Sequence, residues 1–305
     1  MARYDGSTAL AFSMHSHLLE TLKFRYRHNL TPSFEPPLRR VAAEELVLIS
    51  SGGSDWIEGS GTLVKEEGGY RFNAKKVFGS GGPAADLLLT TGVYDDPENG
   101  PSVLHFGVNL RGEGIKIQDD WHTLGMCGTG SNTIEIENVF VPDGGVTLTR
   151  PQGVWHRFFD IISPMAFALI TSAYVGVAEC ARDIAISQAS KKKDDPLVQS
   201  AIGEMETELL AAQNAWDSMV ELGASDFEPS VQNSDLTFRL KTIANRSAIR
   251  TVEKAIEATG GAAYFRRLGL ERCFRDIQAS RFHPLQEARQ HVFSGRLALG
   301  LDPIG

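Results

Sequence analysis

Residues 124–142 read LGMCGTGSNTIEIENVFVP, a glycine-rich loop followed by a run that alternates apolar and polar residues. The alternation in TIEIENVFVP predicts a β-strand with one buried face. Glycine-rich loops that hold phosphate lead into a helix, because the helix N-terminus supplies free N–H groups and a favourable dipole. This loop leads into a strand instead, so the stretch is not an ordinary phosphate loop.

The hydrophobic period changes twice on moving outward from this stretch. Residues 38–148 form short alternating runs, with a tight hairpin turn at 67–69 and a longer turn at 95–102. This pattern predicts a central antiparallel β barrel or sandwich. Residues 1–37 show one broad apolar helical face, and residues 149–305 return to a helical period. The predicted fold class is α+β, with partial N-terminal helices, the β domain and a C-terminal four-helix bundle.

The bundle is predicted from four start signals and one stop signal. Ser163 and Pro164 predict the first helix, because a capping serine followed by proline is typical of a helix start. The second helix is expected to begin at Leu197 after the polar break KKKDDP at 191–196. Ser234 is the predicted cap of a third helix, which ends at the glycine pair 260–261. Pro284 predicts the start of the fourth.

Composition and net charge limit which classes of ligand the protein is expected to bind. The chain has 305 residues and a formal net charge of -8, which argues against nucleic acid and anionic membranes as ligands. The apolar stretch at 164–178 is expected to be a buried helix, since it is too short to span a bilayer. Three scattered cysteines show no zinc spacing and favour a reducing, cytoplasmic location, with no metal site.

Common catalytic signatures are absent, but four segments occur together in order. They are SSGGSDW at 50–56, FNAKKVFGSGGPAAD at 72–86, the stretch at 124–142 and ATGGAAYFRRLGLERCFRD at 258–276. Together they resemble the acyl-CoA dehydrogenase superfamily of flavoproteins, along nearly the whole chain. The resemblance implies FAD, or FMN, bound between the β domain and the bundle of a homodimer or homotetramer. It also implies a small-molecule substrate such as an acyl-CoA.

The resemblance implies cofactor-binding roles for residues of the first two segments. Phe78 matches an aromatic residue beside the flavin ring, and Ser80 matches a hydroxyl residue at the ring's N5 edge. Ser54 and Asp55 match the loop over the cofactor. The alternative interpretations are a core strand residue for Phe78 and ordinary turn residues for the other three.

The fourth segment carries two further matches. Gly260 and Gly261 match a glycine pair that lets the backbone approach the flavin of a neighbouring subunit, although helix termination explains them equally. Arg275 and Asp276 match the R-D pair of the superfamily. The alternative interpretation is that the two residues form an ion pair with a structural role only. The superfamily's flavin-contacting arginine is not recognisable, and one of the lysines at 191–193 is the nearest substitute in charge.

Residues 281–287, RFHPLQE, depart from the fatty-acyl members of the superfamily. Pro284 falls at the position of their catalytic glutamate, and proline cannot accept a proton. Glu287 lies one turn further on, in the wrong register. His283 is adjacent and titrates near neutral pH, so it is the candidate catalytic residue, as a base or as a hydrogen-bond donor. The alternative is a helix-mouth histidine bonded locally.

Three functions remain open on the sequence alone. The first is a flavin-dependent oxidoreductase of the acyl-CoA dehydrogenase type, which moves a hydride from a substrate CH–CH bond to flavin. The second is a reduced-flavin-dependent monooxygenase of the same superfamily, whose members carry a histidine in this neighbourhood. The third is a non-catalytic truncated relative, because residues 2–19 resemble only the last helices of the N-terminal domain.

Overall fold

The computed structural model describes residues 1–30, 35–224 and 226–305, which form two compact units. The helical unit comprises Met1–Ser13, Thr123–Gly128 and Asp160–Ala298. The sheet unit comprises Met14–His122, Thr129–Phe159 and Leu299–Gly305. Domain boundaries after residues 37 and 148 stay a prediction.

The sheet unit is built on one eight-stranded sheet. The strand order is β6-β7-β3-β2-β4-β5-β8, and β1 pairs with β4 outside this path. The strands are β1 (Leu48–Ser50), β2 (Thr62–Glu66), β3 (Gly69–Lys76), β4 (Leu87–Asp96), β5 (Gly100–Asn109), β6 (Ile115–Ile117), β7 (Ile134–Pro142) and β8 (Leu148–Pro151).

Both predicted turns are present, but the sheet is not wholly antiparallel. The turn after Glu66 joins β2 to β3, with Glu66 opposite Gly69. The turn after Asp96 joins β4 to β5, with Asp96 opposite Gly100. Two pairs, β1 with β4 and β2 with β4, are parallel. Long connections precede β4 in both cases, and parallel neighbours need such connections, whereas hairpins need only a tight turn.

The inward face of the sheet forms its own core. Phe72 on β3 and Phe106 on β5 are almost fully buried and meet edge to face, with ring centroids 4.9 Å apart. Gly92 on β4 lies against this cluster, where a Cβ would be 2.8 Å from the Leu63 and Phe72 side chains. Aliphatic side chains from β1, β4, β5 and β7 complete the cluster, namely Ile49, Leu88, Leu104, Val108, Ile134 and Ile136.

Seven helices are described, and the long ones carry the core of the helical unit. They are α1 (Gly6–Arg27), α2 (Glu35–Ala43), α3 (Arg157–Ala189), α4 (Pro196–Leu222), α5 (Val231–Thr259), α6 (Leu270–Ile277) and α7 (Glu287–Ala298). The first turns of α1 and most of α3 belong to the helical unit. On α4 the buried residues recur every three or four positions: Ala201, Met205, Leu209, Ala212, Ala215 and Met219.

Helix α3 starts earlier than predicted. It begins at Arg157, so Pro164 lies inside the helix. The helix is long and apolar enough to cross a membrane by length and composition, but 78% of its apolar window is buried inside the protein. The expectation of a buried helix is therefore confirmed for the described residues.

Two other predicted helix starts are wrong. Helix α5 is capped by Ser230, whose Oγ accepts from the Asn233 N–H at 3.2 Å. The predicted cap, Ser234, is instead buried and donates to Asp160 Oδ1 at 2.8 Å. The last segment contains two short helices, α6 and α7, and neither begins at Pro284. Both serines satisfy the local capping pattern, so only packing against α3 distinguishes them.

Thr31, Pro32, Ser33, Pro36 and Pro37 are typical turn residues and predict a turn, but Pro36 and Pro37 lie in helix α2. The two prolines occupy the first turn of the helix, where their missing N–H groups would have no intrahelical partner. The predicted turn residues Thr31, Pro32 and Ser33 lie outside the described residues.

Candidate functional site

Phe78 follows β3 and keeps an accessible aromatic ring. Its φ is +60° and its side chain is 53% exposed. The ring meets the Trp121 ring edge to face at 5.9 Å between centroids. The positive φ turns the chain sharply out of the strand, and a large apolar side chain left this exposed is a candidate for ligand contact. The core-residue interpretation of Phe78 does not fit.

Ser80 joins two of the four segments. Its Oγ lies 2.8 Å from Ser131 Oγ, which in turn lies 2.6 Å from Thr129 Oγ1. The backbone continues the link, since the Gly81 N–H donates to the Thr129 carbonyl at 2.8 Å. The segments at 72–86 and 124–142 therefore meet through a chain of hydroxyl groups, in which each oxygen can donate or accept.

The first segment is fixed to the second by a buried ion pair. Lys76 Nζ lies 2.7 Å from Asp55 Oδ2, and the two side chains are 0% and 6% exposed. The same ammonium donates to the carbonyls of Ser60 and Thr91, at 2.8 and 2.7 Å. Asp55 is thus held as a structural carboxylate. Ser54 lies in the turn Gly53–Asp55, and its side chain is outside the described part of the structure.

Glycine is required where the first segment crosses the second. A Cβ on Gly52 would lie 2.8 Å from the Val77 carbonyl oxygen and 2.9 Å from the Phe78 Cβ. The Gly52 N–H donates to the same carbonyl at 3.3 Å. This close approach packs the loop directly behind Phe78.

In the helical unit, Gly260 and Gly261 end α5 at an exposed corner. Gly260 has a φ of +69°, which favours glycine. No atom lies within 4 Å of a Cβ built on Gly261, and the Lys192 ammonium lies 4.0 Å from one built on Gly260. The pair terminates the helix as predicted, and its approach to a neighbouring subunit's cofactor stays a prediction.

Arg275 and Asp276 both hold the loop at 124–126, which belongs to the same unit. Asp276 Oδ1 accepts from the Met126 N–H at 2.6 Å, and Arg275 Nη1 donates to the Leu124 carbonyl at 2.9 Å. Gly125 fits only as glycine, because a Cβ would lie 2.3 Å from the Arg275 carbonyl oxygen. Burial raises the pKa of Asp276, while its bond to the Met126 N–H lowers it. The third and fourth segments are therefore linked by hydrogen bonds rather than by one ion pair.

His283 does not lie at a helix mouth. It follows the 3-10 turn Gln278–Phe282, and its backbone is extended, with φ -69° and ψ 142°. The ring Nε2 lies 2.6 Å from the hydroxyl of Tyr174 on α3. Tyr174 is 1% exposed, and burial, helped by the negative charge of Asp276, raises the pKa of its phenol. The phenol is therefore protonated at neutral pH.

Sequence reasoning missed Tyr174, the partner of His283. The two residues are 109 positions apart in the chain. Tyr174 lies within the apolar run at 164–178, where a tyrosine carries no local catalytic signal. Thr171, one turn earlier on α3, is 1% exposed, and its Oγ1 has no hydrogen-bond partner. This face of α3 is thus more polar than the hydropathy of the helix indicates.

The nearest carboxylate in sequence, Glu287, is otherwise engaged. It opens α7 and forms an ion pair with Arg246 on α5, and both side chains are about half exposed, at 46% and 57%. The hydrogen bond from Arg246 lowers the pKa of Glu287. A carboxylate stabilised in its charged form by a guanidinium is a weak base, so Glu287 does not replace the missing glutamate.

Comparisons with known proteins agree with this geometry. Residues 168–287 match the family described as "Acyl-CoA dehydrogenase, C-terminal domain". Dibenzothiophene monooxygenase of Mycolicibacterium goodii is 28% identical over 72% of this chain, which spans 59% of that relative's length. The putative acyl-CoA dehydrogenase YdbM of Bacillus subtilis (strain 168) is 26% identical over 93% of this chain and 76% of its own.

Solved structures give the same fold. An X-ray structure of KijD3 in complex with FMN and a dTDP-linked amino sugar superimposes with a TM-score of 0.85 at 25% identity. The match covers 98% of this chain and 77% of that one. The fold is therefore that of the acyl-CoA dehydrogenases. The chain resembles the acyl-CoA dehydrogenase superfamily, and the relatives it matches include both dehydrogenases and flavin-dependent monooxygenases.

Proposed function

We propose that this protein is a reduced-flavin-dependent monooxygenase in which His283 and Tyr174 handle protons. The observation that carries the proposal is the 2.6 Å contact between His283 Nε2 and the Tyr174 hydroxyl, beside the position where fatty-acyl members have glutamate. Dibenzothiophene monooxygenase and the flavin-dependent monooxygenase HsaA among the relatives support the same branch. A cytoplasmic homodimer or homotetramer is part of the proposal.

The residues of the sheet unit fit a flavin. Phe78 offers an exposed aromatic ring for a planar heterocycle. The Ser80 hydroxyl can donate to or accept from a ring nitrogen, since its partner Ser131 is also a hydroxyl. FMN and FAD share this ring, so these residues fit either cofactor. On the helical unit, Lys192 beside Gly260 is a candidate phosphate contact.

A reduced flavin, when bound, supplies two electrons to dioxygen, so that one oxygen atom enters the substrate and the other leaves as water. The chain's own task is to hold and move protons. Because burial keeps Tyr174 protonated, its O–H donates to Nε2 while His283 is neutral. When the imidazole takes up a proton, Nε2–H donates to the phenol oxygen instead. The pair can therefore accept a substrate proton, and the phenol oxygen then accepts a hydrogen bond from the imidazolium that forms.

An acyl-CoA dehydrogenase is the second candidate, and one observation favours it. The match to the putative dehydrogenase YdbM covers more of this chain than the match to dibenzothiophene monooxygenase, 93% against 72%. Removal of an α-proton then needs a base, and His283 is the one nearest the usual position. An imidazole is a weaker fit to this reaction than a carboxylate held close to the substrate's α-carbon.

The test begins with purified protein, FMN or FAD, and a reductant that keeps the flavin reduced. The probes are dibenzothiophene, a dTDP-linked amino sugar and an acyl-CoA, with oxygen consumption and product mass as readouts. A monooxygenase forms a product that is heavier by one oxygen atom from labelled dioxygen. In a parallel sample without the reductant, bleaching of oxidised flavin by acyl-CoA without oxygen uptake establishes the dehydrogenase instead. Absence of flavin binding contradicts both candidates.

Variants separate cofactor binding from proton handling. Phe78→Ala with Ser80→Ala is expected to weaken flavin binding about tenfold, in line with the loss of one ring contact and one hydrogen bond. His283→Gln and Tyr174→Phe are expected to leave flavin binding unchanged and to lower turnover about a hundredfold. His291→Gln, an exposed histidine on α7, is the matched control and is expected to change neither. Equal turnover in His283→Gln and His291→Gln contradicts the assigned role.

A further inference from the structure

Lys241 on α5 is buried against the segment that carries His283. Its side chain is among the buried charged groups, at 3% exposure. The ammonium donates to three successive backbone carbonyls, those of His283 at 3.2 Å, Pro284 at 2.9 Å and Leu285. A lysine ammonium has three donors and no acceptor, so its capacity matches these three carbonyls. The Phe167 ring lies 5.1 Å from Nζ on another side.

The segment at 283–285 has no helical hydrogen bonds of its own. The 3-10 turn before it ends at Phe282, and α7 begins only at Glu287. Backbone carbonyls in such a gap need partners from elsewhere when they are buried. Lys241 supplies those partners, and in doing so it fixes the direction of each peptide group from His283 to Leu285.

Burying the charged Lys241 side chain at this position has a desolvation cost. Burial alone lowers the pKa of Lys241 to about 7. No carboxylate contributes to that shift, in contrast to the usual pairing of buried charges. An apolar residue of similar length would avoid the desolvation cost, but it would leave three carbonyls without donors.

We propose that Lys241 is the positioning residue of His283: its ammonium gathers the three carbonyls of residues 283–285 and so aims the imidazole at the Tyr174 hydroxyl. This inference rests on the proposed role of His283. Lys241 does not contact the reacting atoms itself. It selects one orientation of the His283 ring, with Nε2 toward α3, from those that a free loop would sample.

Protonation of Lys241 then modulates the arrangement near neutral pH. The charged ammonium serves all three carbonyls, whereas the neutral amine has only two N–H donors. The orientation of His283 is therefore held best below pH 7 and loosens above it. Other charged groups line the adjoining cleft of about 550 Å³ or approach from α3, namely Arg246, Arg250, Arg281, Glu253, Glu287 and Asp160.

The test uses NMR of the full-length protein labelled with ¹⁵N-histidine, which reports the tautomer and titration of each ring. His283→Gln assigns the His283 signals. In the wild type we expect the neutral His283 ring to show one tautomer, and its signals to show a second inflection near pH 7, caused by Lys241. In Lys241→Met we expect both tautomers and no second inflection. Lys254→Met, a lysine of the same helix that pairs with Glu204 at 2.7 Å, is the matched control.

Lys241→Gln covers the case in which Lys241→Met does not fold. The amide keeps two N–H donors but does not titrate, so one tautomer should dominate and the second inflection should be lost. The inference is overturned if the His283 signals of the folded Lys241 variants match those of Lys254→Met at every pH. None of these readouts needs flavin or turnover. A failure of the proposed function appears instead as unchanged turnover in His283→Gln.

Discussion

Each unit of the protein buries one lysine deep in its core, and the two lysines are held in opposite ways. Lys76 in the sheet unit is 1% exposed and pairs with Asp55 at 2.7 Å. Lys241 in the helical unit is 3% exposed, and its ammonium donates to the backbone carbonyls of His283, Pro284 and Leu285. One charge is cancelled by a carboxylate, and the other is balanced only by the partial charges of backbone dipoles.

The difference shows what each lysine can do. Burial also lowers the pKa of Lys76, but the charge and hydrogen bond of Asp55 oppose that shift, so the pair is suited to joining two chain segments. A cation without a carboxylate has its pKa lowered by burial to about 7, so its charge changes under ordinary conditions. The sheet unit thus uses its lysine as a fixed link behind Phe78, and we infer that the helical unit uses its lysine to position His283.

The largest expected effect is on the paired lysine. Asp55→Ala leaves the Lys76 ammonium buried without its counter-charge, which should lower the free energy of unfolding by about 3–5 kcal/mol. Chemical denaturation followed by tryptophan fluorescence measures the loss. Lys65→Met breaks an exposed pair with Asp143, and its cost should be much smaller because solvent screens the pair. Similar losses in the two variants would show that the buried pair is not special.

A smaller loss is expected when the unpaired lysine is removed. Lys241→Met leaves three neutral carbonyls without donors, but it leaves no buried charge without a partner. The free energy of unfolding should therefore fall by about 1–3 kcal/mol. Lys76→Met leaves the buried Asp55 carboxylate without its counter-charge and should lower the free energy of unfolding by more. The same denaturation experiment ranks the two variants. A larger loss in Lys241→Met would reverse the contrast between the units.

The pH dependence of stability sharpens the contrast further. Lys241 has a folded pKa of about 7 and an ordinary value of 10.5, so the unfolded chain binds more protons between these two pH values. The contribution of Lys241 to the free energy of unfolding is therefore lowest below pH 7 and rises with pH through this window. The slope cannot exceed about 1.4 kcal/mol per pH unit. Wild type minus Lys241→Met, measured from pH 6 to 10, should follow this rise, and a flat difference contradicts it.

The smallest expected effect concerns the hydroxyls around Asp55. Thr90 Oγ1 donates to Asp55 Oδ2 at 3.1 Å and is buried. Because Lys76 serves the same carboxylate oxygen, Thr90→Val should cost only about 0.5–1.5 kcal/mol. Thermal unfolding detects a change of this size as a shift of a few degrees. A cost equal to that of Asp55→Ala would mean that the hydroxyls, rather than the ion pair, hold the loop.

Sequence patterns predicted the helices and turns well where neighbouring residues alone determine them. The turns after Glu66 and Asp96 and the extent of α4 agree with the structure. The starts of α3 and α5 were misjudged, because the cap-and-proline signal at Ser163 and the serine at Ser234 imitate helix starts. The fourth predicted helix begins at Glu287 rather than at Pro284, and the short helix α6 before it was not predicted.

The candidate site was predictable only in part, because some of its contacts join residues that are far apart in the sequence. Phe78, Ser80 and Asp55 lie within short motifs, and each of the four motifs contacts the next one along the chain. Tyr174 was not predictable, because a tyrosine in an apolar helix is usually a core residue. Lys241 was not predictable either, because a lysine on an amphipathic helix usually faces water.

The sequence by itself determined the resemblance to the acyl-CoA dehydrogenase superfamily, the order of helical and β regions and the motif residues around Phe78. Periodicity, turn chemistry and glycine positions are properties of neighbouring residues, so they can be read along the chain. Only the tertiary structure decided that His283 meets Tyr174 and that Lys241 faces three carbonyls. Those contacts join residues more than 40 positions apart. They exist because packed helices bring distant side chains within hydrogen-bonding distance, which no local pattern encodes.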